Sequence, residues 1–206
     1  MNEWCLVVIK TVKLSKFNGK LCENLYGDVC FITPDKFNDV VDLYHRVHST
    51  MDNKNWLKFR DVFYLKDILD KGGFIVGCYI EDILVASALC EIPSGDYINY
   101  ISEMDLDYDL NDIFVSGFVM VDPLYRGNSL HRILLETRIE SSIKRGKKYI
   151  VTAIATENIY SINTVVNLGF EAKFQRKNEY GITRNVYIKK LDSEASKNVK
   201  DVEFTA

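Results

Sequence analysis

Val119-Met120-Val121-Asp122-Pro123-Leu124-Tyr125-Arg126-Gly127-Asn128-Ser129-Leu130-His131 joins an apolar segment to an amphipathic one through a proline and a glycine. Three apolar residues read as the end of a strand. Pro123 breaks it, Arg126-Gly127 supply a turn, and Leu130 opens a helix whose apolar positions continue through Ile133, Leu134 and Thr137. A chain that passes from a strand through a glycine turn into a helix aims several unpaired backbone N–H groups at one point, where the helix dipole adds partial positive charge. The stretch is therefore a candidate anion site. Local pattern alone leaves it equally well a plain strand-to-helix connection.

The segments on either side give that stretch its setting. Residues 74–80 and 83–90 are apolar runs separated by Glu81-Asp82, which predicts a hairpin, and 112–121 is the strand that feeds the turn. Downstream, a strand spans 149–155, a helix runs from Asn158 to about residue 167, and strands over 172–180 and 183–191 flank Gly181 as a terminal hairpin. Near the start, 5–14 reads as a strand, 15–26 with its Asn18-Gly19 as a turn and loop, and 28–33 as another strand. Thr33-Pro34-Asp35 starts a helix on which Phe37, Val40, Val41, Tyr44 and Val47 recur, and a second helix over 58–71 is closed by Gly72-Gly73. On the helix after the turn, Arg132, Arg138 and Glu140 are expected to face water. Strands alternate with helices in the middle and come as hairpins at both ends. That order predicts an α/β (α+β) class with a mixed, mostly antiparallel sheet flanked by helices.

Asn158-Ile-Tyr-Ser161 and, after six residues, Leu168-Gly169-Phe170 extend the pattern. With the strand, the Pro and the Arg126-Gly127 turn they resemble the GNAT superfamily of acyl-CoA N-acyltransferases, specifically over 112–191 and by element order from Gly27 onward. The resemblance implies a GNAT fold over 27–191, preceded by a strand-and-loop extension over 1–26 and followed by a polar tail over 192–206. It implies acetyl-CoA as cosubstrate, held along Val119, Met120 and Val121 by the main chain, by the loop and first helical turn at Arg126, Gly127, Asn128, Ser129, Leu130, His131 and Arg132, and by Asn158. The implied reaction is acetyl transfer to an amine by direct attack in a ternary complex. The family often uses a carboxylate on or beside the strand leading into the loop as general base, which points to Asp112; the same residue also reads as a solvated strand-initiating Asp.

The loop departs from the family pattern at two positions where small residues are usual, here Ser129 and His131. Ser129 is small and its hydroxyl can donate to a phosphate. His131 either crowds or contacts the cofactor or stands exposed in the first helical turn. Arg126 either forks onto phosphate or holds the carbonyls of its own turn, and Asn158 also reads as a helix cap. Where family members that protonate the leaving thiolate with a tyrosine carry it, this chain has Val165, and Tyr160 is rotated by about 140° from that face. These departures support a second reading: a GNAT-fold protein that binds acyl-CoA, or serves as a partner subunit, without turnover.

Composition bounds the rest. A chain of 206 residues, 47% hydrophobic, can bury the core of one ordinary domain. A net charge of −3 with no long basic run argues against a nucleic-acid partner. Cys5, Cys22, Cys30, Cys78 and Cys90 form no C-x-x-C pair, and His45 and His48 lack a third ligand, so neither a disulfide framework nor a metal is expected. The apolar start is too short for a membrane span and lacks the basic flank of a secretory signal, which makes a cytoplasmic protein the expectation. Between Glu91 and Asp112 stand seven carboxylates and no Lys or Arg, on what the resemblance makes the acceptor side. That segment is either a solvated acidic loop or a field that attracts a cationic acceptor such as a polyamine, an aminoglycoside, or a peptide amine or lysine. Tyr97, Tyr100 and Tyr108 within it either bound the acceptor or pack the loop down. Exposed edge strands, common in such folds, leave room for a homodimer.

Overall fold

A computed structural model describes residues 7–57, 61–104, 109–178 and 181–191. Strands β1 (Val8–Phe17) and β2 (Lys20–Phe31) form a hairpin whose two-residue turn is Asn18-Gly19. The segment 15–26, expected to be a turn and loop, is therefore mostly strand. In β1 only Leu14 is buried, and both strands are largely exposed toward their turn. With solvent on both faces there is no apolar alternation for a sequence to display. The expected domain boundary between 26 and 27 falls inside β2, so β1 is part of the sheet rather than an appendage.

A single 3-10 turn at Pro34–Lys36 leads into α1 (Phe37–Ser49), which buries Phe37, Val40, Leu43 and Val47 at helical spacing. Helix α2 (Val62–Asp70) starts where the Asp61 side chain accepts from Tyr64 N, later than the expected residue 58. β3 (Phe74–Ile80) and β4 (Ile83–Glu91) form the expected hairpin, and every residue of β3 is buried, as suits a strand covered on both faces. Helix α3 (Asp96–Ser102) lies within the connection that the sequence suggested was a loop. Then follow β5 (Ile113–Val121), α4 (Leu130–Lys144), β6 (Tyr149–Ala155), α5 (Ile159–Asn167), β7 (Glu171–Lys177) and β8 (Thr183–Lys190).

The sheet order is β1-β2-β3-β4-β5-β6-β8-β7. All neighbours are antiparallel except β5 and β6, which meets the expectation of a mixed, mostly antiparallel sheet. On one face α4 packs Leu134 and Leu135 among Phe74, Val76, Phe114 and Ile150. On the other, α1 and α2 pack Leu43 and Leu65 among Ile75, Leu89 and Met120, and α3 covers Ile113, Val151 and Ile188 with Tyr100 and Ile101. Each such aliphatic side chain contributes about 1.5–3 kcal/mol by leaving water.

Arg138, expected to face water, is 1% exposed. It sits four residues after Leu134, one turn further along the buried stripe of α4, and its guanidinium stays charged there because it donates to Leu89 O, Ser116 Oγ and Leu134 O. Among the described residues no group of His, Cys, Asp or Glu is placed to hold a metal ion, and no helix is long and apolar enough to cross a membrane.

Candidate functional site

The sheet forks at its centre. β5 and β6 pair in parallel at Ile113↔Tyr149, Phe114↔Ile150 and Val115↔Val151, and there the pairing ends, although the strands run on to Val121 and Ala155. At the root of the fork Thr152 Oγ1 donates to Ser116 O at 2.9 Å. The other edge of β5 is irregular at the same level. Ala88 pairs with Val119 and Cys90 with Ser116, so that Gly117 and Phe118 together oppose Leu89 in a β-bulge. Leu89 O accepts from Arg138 Nη1 at 3.1 Å, and the same nitrogen donates to Ser116 Oγ at 2.7 Å. Arg138 and Thr152 thus hold β4, β5 and β6 together at the point where the strands part. Beyond it Gly117, Phe118, Val119 and Val121 are only half-buried, whereas Ile113 to Ser116 are buried. The Met120 side chain lies in the α1–α2 core and its main chain pairs with Ser87 of β4, so that Val119 and Val121 are the residues whose main chain turns to the fork.

From the fork the chain enters the loop. Asp122 is buried, its carboxylate accepting from Arg46 Nε at 2.7 Å and from Leu124 N at 3.0 Å, while Asp122 N donates to Val85 O. This pins the 3-10 turn Pro123–Tyr125 to α1 and β4. Gly127 and Ser129 then take positive φ, 83° and 58°, and the chain turns into α4. Ile133 is the first residue of the helix to donate backward, to Ser129 O at 3.0 Å. Among the described residues the N–H groups of 127 to 132 have no acceptor, the condition for an anion cradle at a helix start.

The side chains of this loop divide by task. Asn128 is buried and fully engaged: Oδ1 accepts from Ser15 N and Lys16 N, and Nδ2 donates to Lys16 O and Tyr125 O. Only its main chain is left for a ligand. Arg126 is exposed and makes no hydrogen bond from its side chain among the described residues, so it does not hold its own turn's carbonyls. Ser129 makes no side-chain capping bond. Arg132 pairs with Glu136 at 2.8 Å on the surface, a weak tie that a ligand can replace. Leu130 is buried. His131 is not the exposed first-turn residue of one sequence alternative: it is half-buried, and its pKa is pushed down to about 3 by burial and by the Arg138 charge. It is therefore neutral, and its position two turns before Arg138 places both on one side of α4.

Asn158 stands at the end of β6, the second prong of the fork, and its Oδ1 accepts from Ser161 N as the cap of α5. Val165 is 3% exposed in the core and carries no proton to give, and Tyr160 is 88% exposed.

Asp112 stands at the paired end of β5, away from the fork. It closes a 3-10 turn at the start of β5, about 23 Å of strand before Val119 at ~3.3 Å per residue. A hydrogen bond from Lys148 Nζ, at 2.8 Å, holds its carboxyl below the usual carboxylate range. The carboxylate that reaches the fork is Glu91. It ends β4 and pairs with Val115, and its Oε1 lies 3.3 Å from where a Cβ on Gly117 would stand. Its Oε2 accepts from Tyr64 OH of α2 at 3.2 Å. Sequence reasoning counted Glu91 among the acidic residues but had no signal for the bulge that brings it to Gly117.

The acidic segment is less uniformly negative than its sequence. Glu103 pairs with Arg176 of β7, Asp109 caps a turn through Asn111 N, and Asp112 pairs with Lys148. Tyr97 and Tyr100 stack edge to face at 5.6 Å, and Tyr100 is buried against the sheet. Asp105, Asp107 and Tyr108 lie outside the described residues.

No family model matches the chain. An uncharacterized N-acetyltransferase of Methanocaldococcus jannaschii is 26% identical over 147 residues, 69% of this chain, and the match spans 59% of that protein's length. Among solved structures, the ribosomal-protein-S18-alanine N-acetyltransferase from Escherichia coli aligns with a TM-score of 0.61 at 15% identity, over 86% of this chain and 99% of its own. A GNAT superfamily phosphinothricin acetyltransferase from Sinorhizobium meliloti, in complex with AcCoA, aligns at 0.62 and 13% identity over 85% of this chain and 95% of its own. At these identities the structures speak for the fold. With a forked eight-stranded sheet and an amide-lined loop between β5 and α4, the chain has the fold of these acetyltransferases.

Proposed function

We propose that the protein is an acyl-CoA N-acyltransferase that moves an acetyl group from acetyl-CoA to an amine in a ternary complex. The observation that carries this is the meeting of two features: a gap between β5 and β6 that can take an extended thioester arm, and a row of unpaired N–H groups at 127–132 at the end of the same strand that can take its phosphates. The acetyltransferase solved with AcCoA shares this fold, which supports acetyl-CoA as cosubstrate.

In this reading the amides of residues 127 to 132 and the Arg126 guanidinium bind the diphosphate. Main-chain groups of Val119 and Val121 line the arm and polarise the carbonyl, Met120 between them holds the strand to β4, and Asn158 bounds the second prong. The amine arrives from the α1–α3 face, where Glu91 stands, and the Glu91 carboxylate removes its proton directly or through water. The amine nitrogen attacks the thioester carbon, the C–S bond breaks, the nitrogen gives up its extra proton to solvent to leave the neutral amide, and CoA leaves as a thiolate that takes a proton from solvent. A cationic acceptor suits the carboxylates that this segment carries, Glu91 and Asp96 among them.

The competing reading, binding without turnover, draws on Val165 and on the fastened Asp112. An assay of CoA thiol release with acetyl-CoA and a panel of polyamine, aminoglycoside and peptide amines separates the two. Turnover that falls about 100-fold in Glu91→Gln, with acetyl-CoA affinity unchanged, supports the enzyme with Glu91 as base. Tight acetyl-CoA binding with no release for any amine supports the binding protein.

A further inference from the structure

The β1–β2 hairpin is fastened to the loop. Asn128 receives Ser15 N at 2.8 Å and Lys16 N at 3.0 Å and donates to Lys16 O at 2.8 Å. Asn18 N donates to Leu124 O at 2.6 Å, and the rings of Phe17 and Tyr125 lie 5.2 Å apart. These contacts lay the Lys16 side chain across Gly127: a Cβ at that glycine would stand 3.2 Å from Lys16 Cδ and 3.7 Å from its Nζ. Lys16 is half-buried and its ammonium has no carboxylate partner among the described residues. The neighbouring Arg126 is likewise without one.

An ammonium held against the glycine of an amide cradle, with no carboxylate paired to it among the described residues, is poised for an anionic oxygen. We propose that Lys16 is a ligand of a phosphate group of coenzyme A, so that the hairpin ahead of the core sheet supplies part of the cofactor site. This rests on the acetyl-CoA reading above. Asn128 is then a positioning residue: its side chain binds no cofactor but sets the strand that carries Lys16.

Calorimetric titration with acetyl-CoA tests it on the full chain, using Lys16→Met, which keeps the aliphatic cover over Gly127, Lys16→Arg, which keeps the charge, and Lys13→Met on the exposed neighbouring stretch of β1. The expected result is a tenfold or greater rise in Kd for Lys16→Met, recovery with Lys16→Arg, no change for Lys13→Met, and no change in any variant for acetyl-pantetheine, which lacks the phosphates. Wild-type affinity in Lys16→Met, or equal losses in the Met and Arg variants, would overturn the role of the charge. Failure of the wild type itself to bind acetyl-CoA would overturn the functional reading as well, and is thereby distinguishable.

Discussion

At the scale of single residues, Gly117 is the position on which the fork depends most. A Cβ there would stand 2.3 Å from Leu89 Cδ1 and 3.3 Å from Glu91 Oε1. Leu89 is fully buried, so its side chain can give way only against the close-packed interior around it. Gly117→Ala is expected to cost about 1–3 kcal/mol in denaturant unfolding by overpacking, and to lower kcat/KM more than tenfold because Leu89 and Glu91 must both shift. His131 gives a pH prediction. Its folded pKa, about 3, lies below its ordinary value of 6.5, so between these two values the unfolded chain binds the extra proton. The contribution to stability is present above pH 6.5 and is lost as pH falls toward 3. A His131→Gln variant should show a flatter loss of stability through that window; an unchanged slope would mean that the imidazole is protonated in place. Much at this scale was illegible beforehand. Arg126 and Asn128 stand two residues apart in the same loop, yet one is exposed and the other spends every side-chain polar atom on β1 and its own turn, more than a hundred positions away in part. No spacing rule encodes that, and none placed Arg138 inside.

At the scale of elements, the fork is held by polar contacts where a regular ladder would have backbone bonds. Thr152→Val keeps the shape of the side chain but removes the donor to Ser116 O, leaving a buried carbonyl unpaired. The expected cost is about 1–3 kcal/mol, read as a lower denaturant midpoint at constant slope. The α3 helix illustrates why one element was missed. At seven residues, with Asp96, Tyr97, Asn99 and Tyr100 in it, α3 is short and polar, and its apolar contacts come from Tyr100 and Ile101 folding down on β5, β6 and β8. Tertiary packing makes such a helix, and a periodicity test has too few residues to detect it. The buried elements were legible for the opposite reason. β3, β4 and β6 are largely apolar runs bounded by polar turns, and their ends fall within a residue of where the sequence sets them.

At the scale of the whole molecule, the order of elements and the loop motif were enough to expect a GNAT fold. The place where β5 and β6 separate was not, because both strands stay apolar past Val115 and only the bulge at Gly117-Phe118 and the clamp by Arg138 and Thr152 end their pairing. The outer hairpin is also a property of the whole: β1 looks like a dispensable edge until its bonds to the 124–128 turn are counted as part of the site. The most direct test is thermal unfolding with and without acetyl-CoA, for the wild type and for Gly127→Asp. At about 100 times its dissociation constant the ligand should stabilise the wild type by about 2.7 kcal/mol, a rise of roughly 5–10 °C for a chain of this size, and the rise should vanish in the variant. No rise in the wild type, or an equal rise in both proteins, would contradict a cofactor seated on the 127–132 amides.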